Sequence, residues 1–374
     1  MKNKKKNQTS QDQKSQDILR DYKKSGKIRP WKKNRLLTEA ISSVCYRTPG
    51  LEKYGELMDS CGTFLEYMAC KTVKHRKKLK RASFCKCRMC VLCQSRRALV
   101  VQKKVLDMVG WHREKYLTDV ALLLTLTVPN VKGDFLGKSL DDVHGGCQRM
   151  MQRKAVKSIV RSSFRATEIT YNHDREDYHP HLHILLMVSP EYFYRKNGLY
   201  LIRDEWLRLW QESMRDNSIT QVDIRRVDDK GEGTFESIVA EVAKYATKPL
   251  SYILKNEKGE FEADPKVVET LHYALKKRRT FAFSGYFKKV WKEKKLQKIE
   301  KLDLISVDEE EIDEDGVVKE KAPECCKVCN EPLVKEAYRW DRVAKEYLRV
   351  YSDGNKGCDG FQSELKTIQC RGPS

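Results

Sequence analysis

His179-Pro-His-Leu-His-Ile-Leu-Leu-Met-Val188 is the run on which the reading of this chain turns. From His181 onward it is apolar and rich in β-formers. It follows the polar linker 172–179, so it predicts a strand over 181–188 behind a hairpin. Alternation sends His181 and His183 to one face, and Leu182, Ile184, Leu186 and Val188 to the other. Two imidazoles on a rigid strand make a bidentate site for a divalent cation. The competing reading is a pair of hydrogen-bonded or surface histidines, and His173 and His179 just upstream make the pair less unique. A cation that polarises a phosphodiester also wants an oxygen donor. Glu168, on a strand predicted over 164–171, is the candidate. It faces the histidines only if the hairpin register sets it opposite an odd-numbered residue, and a one-residue slip turns it away.

Working outward, Val120-Ala-Leu-Leu-Leu-Thr-Leu-Thr-Val128 reads as a buried strand stopped by Pro129-Asn130. Residues 138–162 form a basic helical stretch. A helix bearing Trp206 and Trp210 and a strand over 222–227 follow. The next helix, 234–248, ends at Pro249. Its apolar stripe is Ile238, Val239, Val242 and Ala246. Glu241, Tyr245 and Lys248 share another face, with Lys244 beside them. A phenol, a carboxylate and two ammonium groups are the parts needed to attack a phosphate: a nucleophile, a base and charge that favours the phenolate. An ordinary surface helix with Glu–Lys pairs and a packed tyrosine fits the same residues. A further helix is predicted over 266–278.

Composition narrows the partner. In 374 residues, 74 Lys+Arg against 53 Asp+Glu leave a net charge of +21. Such an excess points to a polyanion, whose counterions each bound Lys or Arg releases. Charge alone fits RNA or simple solubility as well as DNA. No apolar run approaches the ~18 residues of a membrane span, and the N-terminus lacks the apolar core of a signal peptide. The expected location is the cytoplasm, with no membrane partner. In a reducing compartment the 13 cysteines are better read as metal ligands than as disulfides. Cys61, Cys85, Cys90 and Cys93 form one candidate zinc set, with Cys87 as alternate to Cys85 and His75 as a weaker fourth ligand; reduced free thiols are the other reading. Arg81, Arg88, Arg96 and Arg97 beside it are candidate DNA-backbone contacts, or solvated charge. Cys326-Lys-Val-Cys329 makes a knuckle that Cys358 and Cys370 complete as a second candidate zinc set, again against unpaired thiols. Phe64, Tyr67, Trp206 and Trp210 are candidates for stacking on bases, though core packing suits each better.

These signals fall in a particular order. The chain resembles the HUH endonucleases, in particular the single-tyrosine initiators of rolling-circle plasmids. Leu124-Thr-Leu-Thr-Val-Pro-Asn130 is similar to their first motif, His179–Val188 to the second, and Glu241-Val-Ala-Lys-Tyr-Ala-Thr-Lys248 to the third. Phe164–Tyr171 fits the strand before the second motif. Cys61-Gly-Thr-Phe-Leu-Glu-Tyr67 and Phe84-Cys-Lys-Cys-Arg-Met-Cys-Val-Leu-Cys93 match the family's cysteine region, and Ala274–Arg279 with Gly285 its C-terminal signature. The likeness runs from about Trp31 to about Trp291. Val91 stands where the family usually has proline.

The resemblance implies an α+β chain of the HUH endonuclease fold: a central antiparallel sheet flanked by helices, an N-terminal cysteine-rich zinc-binding subdomain and a small C-terminal extension. We divide it into a disordered basic arm (1–35), a helical and Cys-rich DNA-contacting region (36–110), a catalytic nickase domain (111–300), an acidic linker (301–324) and a Cys-containing extension (325–374). It also implies that Tyr245 attacks single-stranded or hairpin DNA at a plasmid double-strand origin, forming a 5′-phosphotyrosine and a 3′-OH primer. Glu241 would assist termination. His181 and His183 would hold Mg²⁺ or Mn²⁺, and Zn²⁺ would be structural. A host helicase and DNA polymerase are the implied partners; the oligomeric state is open. A conjugative relaxase or an HUH transposase is the nearest enzymatic alternative, but relaxases usually place their tyrosine before the histidine motif. A non-catalytic zinc-containing nucleic-acid-binding regulator explains the charge and cysteines but not the ordered motifs.

Overall fold

Apolar runs of strand length such as 120–128 and 181–188 need cover on both faces, which a central place in a sheet provides, and in this chain they pair antiparallel. The computed structural model describes residues 18–23, 26–72, 75, 77–194, 196, 198–227, 239, 242, 253–294, 304–305, 325–326 and 328–352. In chain order the elements are helices α1 (Trp31–Arg47) and α2 (Glu52–Asp59), strands β1 (Phe64–Ala69) and β2 (Lys78–Ala82), helix α3 (Val91–Lys115), strand β3 (Val120–Thr127) and helix α4 (Gly133–Gln152). Then come β4 (Val160–Asn172), β5 (Asp177–Val188), α5 (Arg203–Met214), β6 (Val222–Arg226), β7 (Ile253–Lys255) and β8 (Phe261–Ala263). The last are α6 (Pro265–Leu275), β9 (Phe281–Gly285), α7 (Tyr286–Glu293), β10 (Val334–Asp341) and β11 (Glu346–Ser352). The contacts divide the chain into two units.

The larger unit, residues 33–61 and 84–307, is built on a five-stranded sheet ordered β6-β3-β5-β4-β9 with every neighbour antiparallel. β5 lies at its centre, which is why its side chains are apolar on both faces except at the histidines. Leu122, Leu124, Leu126, Leu182, Ile184 and Leu186 point to one face, which α4 and α5 cover with Val143, Cys147, Met150, Trp206 and Trp210. Both tryptophans are fully buried, and Trp210 donates from Nε1 to the Thr127 carbonyl at 2.7 Å. They are core residues and not stacking platforms. Leu123, Phe164, Ala166, Leu185 and Met187 point to the other face. There α3 and α7 cover them with Val101, Val105, Met108, Phe287 and Val290.

Three sequence expectations shift in this unit. The hairpin linker, read as 172–179, shrinks because Tyr171 pairs with Tyr178 and Asn172 with Asp177. Glu176 takes a left-handed φ of 49°, and Asn172 Oδ1 accepts from the Arg175 amide at 2.8 Å, so the turn closes on its own side chain. The helix read over 138–162 breaks at Arg153, which turns extended; one further helical turn spans Lys154–Lys157, and β4 claims the last residues. The helix read over 266–278 ends at Leu275 before Lys277 at φ 60°. At its start, Asp264 Oδ1 caps the Val267 amide at 3.2 Å, with Pro265 in the first turn.

The smaller unit, residues 1–32, 62–83 and 308–374, holds a four-stranded sheet ordered β11-β10-β1-β2. Leu65, Tyr67 and Tyr338 are buried on one face. Tyr67 meets Trp31 edge-on at 6.4 Å and Tyr338 at 6.1 Å. The buried Glu336 on that face is paired with Lys77 and accepts from the Tyr338 hydroxyl at 2.8 Å, as a buried carboxylate requires. This sheet corrects the sequence division. Residues 64–69 do not stay with the helical region, and 334–352 is no separate extension, because β1 and β10 pair. Nor is 1–35 a featureless arm: Ile18 bridges Leu348, the Leu19 amide donates to the Tyr347 carbonyl at 2.9 Å, and α1 begins at Trp31. Residues 1–17, and the acidic linker except for Leu304 and Ile305, lie outside the described residues. No helix among the described residues is long and apolar enough to cross a membrane.

Candidate active site

The hairpin register decides the metal triad. Glu168 on β4 lies directly opposite His181 on β5, an odd-numbered residue, so its carboxylate joins the histidine face. His181 Nε2 lies 2.7 Å and His183 Nε2 3.0 Å from the same oxygen, Glu168 Oε2. Glu168 and His183 are buried and His181 partly so. The far side of each ring is tied. His181 Nδ1–H donates to the His179 carbonyl at 3.2 Å, and His183 Nδ1 meets Thr125 Oγ1, on β3, at 3.3 Å. Such outer contacts orient both rings so that their Nε2 atoms converge on the Glu168 carboxylate. Two imidazole nitrogens and a carboxylate oxygen, all within 4.8 Å of one another, make a donor set fit for a divalent cation. His179 lies next along the same face, its ring centroid 5.1 Å from that of His181, and outside the converging atoms.

This face is the one beneath α3 and α7, because residues 164, 166 and 168 of β4 share it. Val239 and Val242 are helical, fully buried and part of the same core. They belong to the apolar stripe read for helix 234–248. Glu241, Lys244, Tyr245 and Lys248 lie outside the described residues.

The four-cysteine set comes together as well. Cys61 Sγ lies 3.5 Å from Cys90 and from Cys93, and Cys85 Sγ 3.7 Å from Cys93, close to the ~3.8 Å sulfur–sulfur edge of a tetrahedral zinc thiolate. Amides of Cys85, Lys86 and Cys93 point at the sulfurs at 3.3–3.5 Å, with Lys86 left-handed at φ 57° to make the knuckle. A hydrogen bond from Cys61 holds the Cys85 thiol well below its ordinary value, while its bond to Cys85 pushes Cys61 up and burial pushes Cys93 up. One thiolate suppresses its neighbours; only a cation lets all four ionise. Cys87, the alternate, bonds instead through Sγ to the Cys85 carbonyl at 3.7 Å and stays outside the group.

A third group was missed as such. Cys326 and Cys329 meet Cys70 and His75. Cys358 and Cys370, which the sequence reading had chosen, lie outside the described residues. His75, read as a weak ligand of the first set, thus sits in the other unit. Its signal was the short spacing from Cys70 to His75, beside a turn.

The comparisons with known proteins bear on this geometry. A family model described as Rep_1, Replication protein, matches residues 76–328. The chain belongs to the Rep_1 replication-protein family. It is similar to a protein named "Protein rep" from Streptococcus pneumoniae serotype 2, 31% identical over 288 residues, spanning 77% of this chain and 87% of that one. Likewise named are relatives from Bacillus amyloliquefaciens (32% over 323 residues; 79% and 90%) and Lentilactobacillus hilgardii (30% over 309; 82% and 95%). No solved structure matches. The likeness to plasmid replication initiators read from the ordered motifs is thereby borne out. For this replication protein the family match takes in Glu168, His181 and His183, together with Cys85, Cys90 and Cys93.

Three of the four arginines read beside the cysteine set donate to groups of the chain itself. Arg96 is buried and donates to the Leu304 and Ile305 carbonyls at 2.8 and 3.1 Å. Arg88 donates to the Leu275 and Arg278 carbonyls. Arg97 reaches Gln94 Oε1 at 2.8 Å and the Lys86 carbonyl at 3.2 Å. Each of these three guanidiniums bonds at least one chain carbonyl, using the fixed fork of donors that only arginine offers, and of the three Arg96 is buried. Arg81, exposed on β2, keeps its place as a surface cation.

Proposed function

We propose that this replication protein nicks and rejoins one DNA strand at a plasmid origin, with Tyr245 as nucleophile beside a cation held by Glu168, His181 and His183. The observation that carries the reading is the convergence of two Nε2 atoms on one carboxylate oxygen, at 2.7 and 3.0 Å. Support also comes from Val239 and Val242, whose burial on the same face ties the sequence around the tyrosine to the sheet that carries the triad.

The triad would hold Mg²⁺ or Mn²⁺, which when bound polarises the scissile phosphate. Glu168 supplies the oxygen donor that such hard cations prefer. Thr125 and the His179 carbonyl keep both imidazoles oriented, so no rotamer search precedes binding. The Tyr245 oxygen attacks phosphorus; the new O–P bond forms as the bond to the 3′ oxygen breaks. The phenol proton passes by way of water to the departing 3′ oxygen; the chain keeps the 5′ phosphate, and the 3′-OH so formed primes synthesis. Lys244 and Lys248 favour the phenolate and the phosphate charge. Glu241 activates water or a second strand for the terminating cleavage. The substrate is single-stranded or hairpin DNA at the double-strand origin, and a host helicase and polymerase act on the opened strand. Zn²⁺ in the four-cysteine set is structural.

The test is a nicking assay on a supercoiled plasmid carrying its cognate origin, with Mn²⁺ or Mg²⁺. Wild type should nick and leave a covalent protein–DNA adduct; Tyr245→Phe should leave none. His181→Ala/His183→Ala should lose at least about 100-fold in rate, the scale of removing a transition-state electrostatic stabiliser. An adduct with Tyr245→Phe would remove the nucleophile assignment, and undiminished nicking by the double variant would remove the metal triad.

A further inference from the structure

We propose that Cys70, His75, Cys326 and Cys329 bind a second structural zinc ion, a Cys₃His clasp separate from the four-cysteine set. Their donor atoms form a closed cage. Cys70 Sγ lies 3.4 Å from Cys329 Sγ. His75 Nδ1 lies 3.3 Å from Cys70 Sγ, 3.3 Å from Cys326 Sγ and 3.5 Å from Cys329 Sγ. A tetrahedral zinc with three sulfurs and one nitrogen has edges of about 3.8 Å between sulfurs and about 3.6 Å between sulfur and nitrogen. One ring nitrogen near three sulfurs is the arrangement of ligands about a centre; a catalytic pair would need only one of them.

The topology explains why these four meet. Ala69, the last residue of β1, pairs with Val334, the first of β10. Cys70 follows directly. The connection to β2 carries His75 back past the same end, where Met68 pairs with Lys78. The knuckle before β10 arrives there from the other side. It is closed by Cys326 N–H to the Glu331 carbonyl at 2.8 Å and Asn330 N–H to the Cys326 carbonyl at 2.7 Å, with Asn330 left-handed at φ 58°. Two loops at one end of one sheet thus contribute two ligands each. The Thr72 amide points at Cys70 Sγ at 3.4 Å, a donor that favours thiolate.

Other chemistries fit less well. A Cys70–Cys329 disulfide requires sulfurs about 2.05 Å apart, and these cysteines are free. Three soft thiolates and an imidazole in a tetrahedral cage select zinc over the hard cations suited to the His–Glu triad. A small sheet with a limited core gains most from such a staple. Cys329 is exposed, so this clasp should exchange its metal more readily than the buried four-cysteine set.

The experiment is elemental analysis of the purified full chain carrying His181→Ala/His183→Ala, so that the triad holds no zinc. Two zinc ions per chain are expected, one for each cysteine-bearing group. Adding Cys326→Ser/Cys329→Ser should leave one, whereas adding His75→Cys should keep two. In a Cys85→Ser/Cys90→Ser chain, X-ray absorption at the remaining zinc should show a mixed sulfur–nitrogen shell. A single zinc in the parent chain, two zincs after loss of Cys326 and Cys329, or an all-sulfur shell would each overturn the proposal. The parent count needs no cysteine variant to fold.

Discussion

His144 shows how burial sets a side chain's charge. It sits on α4, its Nε2 2.9 Å from Thr167 Oγ1. Burial, and then the nearby Arg165 guanidinium, push its pKa down to about 3. In the unfolded chain it takes a proton near 6.5. Between these values the unfolded state binds more protons, so stability falls as pH falls from about 6.5 toward 3 and is fully present above 6.5. The slope from this one group is at most about 1.4 kcal/mol per pH unit. Chemical denaturation between pH 6.5 and 5, above the carboxylate range, should therefore show a falling midpoint. His144→Gln, which keeps a donor for Thr167, should make the fall shallower, with burial of His112, His179 and His272 supplying the rest; an unchanged slope in the variant would assign the effect elsewhere.

At the scale of elements, the turn from β9 into α7 depends on Gly285. It takes φ 60° and ψ −138°, a region that excludes side chains. A Cβ there would lie 2.1 Å from the Arg161 carbonyl oxygen, on the strand β9 pairs with. Gly285→Ala should cost at least about 2 kcal/mol, read as a lower denaturation midpoint; a neutral result would mean that the turn relaxes freely. The sequence marked this glycine through its motif, β3 through its apolar run of β-formers, and the faces of β5 through alternation. It could not mark their register. Whether Glu168 joins the histidines depends on parity across a turn whose tightness rests on one side-chain bond from Asn172. Arg96 was misread because a guanidinium satisfying carbonyls looks, in sequence, like one awaiting phosphate. The Cys70–His75 pair was hidden for another reason. Its partners lie 251 to 259 residues away, and their approach follows from the β1–β10 pairing, which local pattern does not signal. The hairpin of β10 and β11 did carry a signal. Tyr338 and Trp340 alternate before Asp341, whose carboxylate accepts from the Val343 and Ala344 amides at 2.8 and 2.7 Å.

For the molecule as a whole, the excess of 74 basic over 53 acidic side chains sets how it meets DNA. Arg88, Arg96 and Arg97 bond neutral oxygens of the chain, which leaves their charge in that excess. The excess should bind duplex DNA of any sequence through counterion release. Affinity should fall by roughly 10³ between 50 and 200 mM salt if about six phosphates are contacted. Fluorescence anisotropy with a random duplex measures this; affinity indifferent to salt would show that the net charge does not face DNA.

The pairing of β1 with β10 also imposes an order of events during synthesis. Residues 64–69 leave the ribosome long before residues 334–341 exist, so β1 waits with one edge unpaired while the whole five-stranded unit is made and can fold. Closing that gap carries the entropy of a long loop. A chain cut short before β10 would keep its triad yet present a bare strand edge, the feature that drives aggregation and invites proteolysis. The small sheet thus acts as a proofreader of length: only a chain translated through β10 hides that edge.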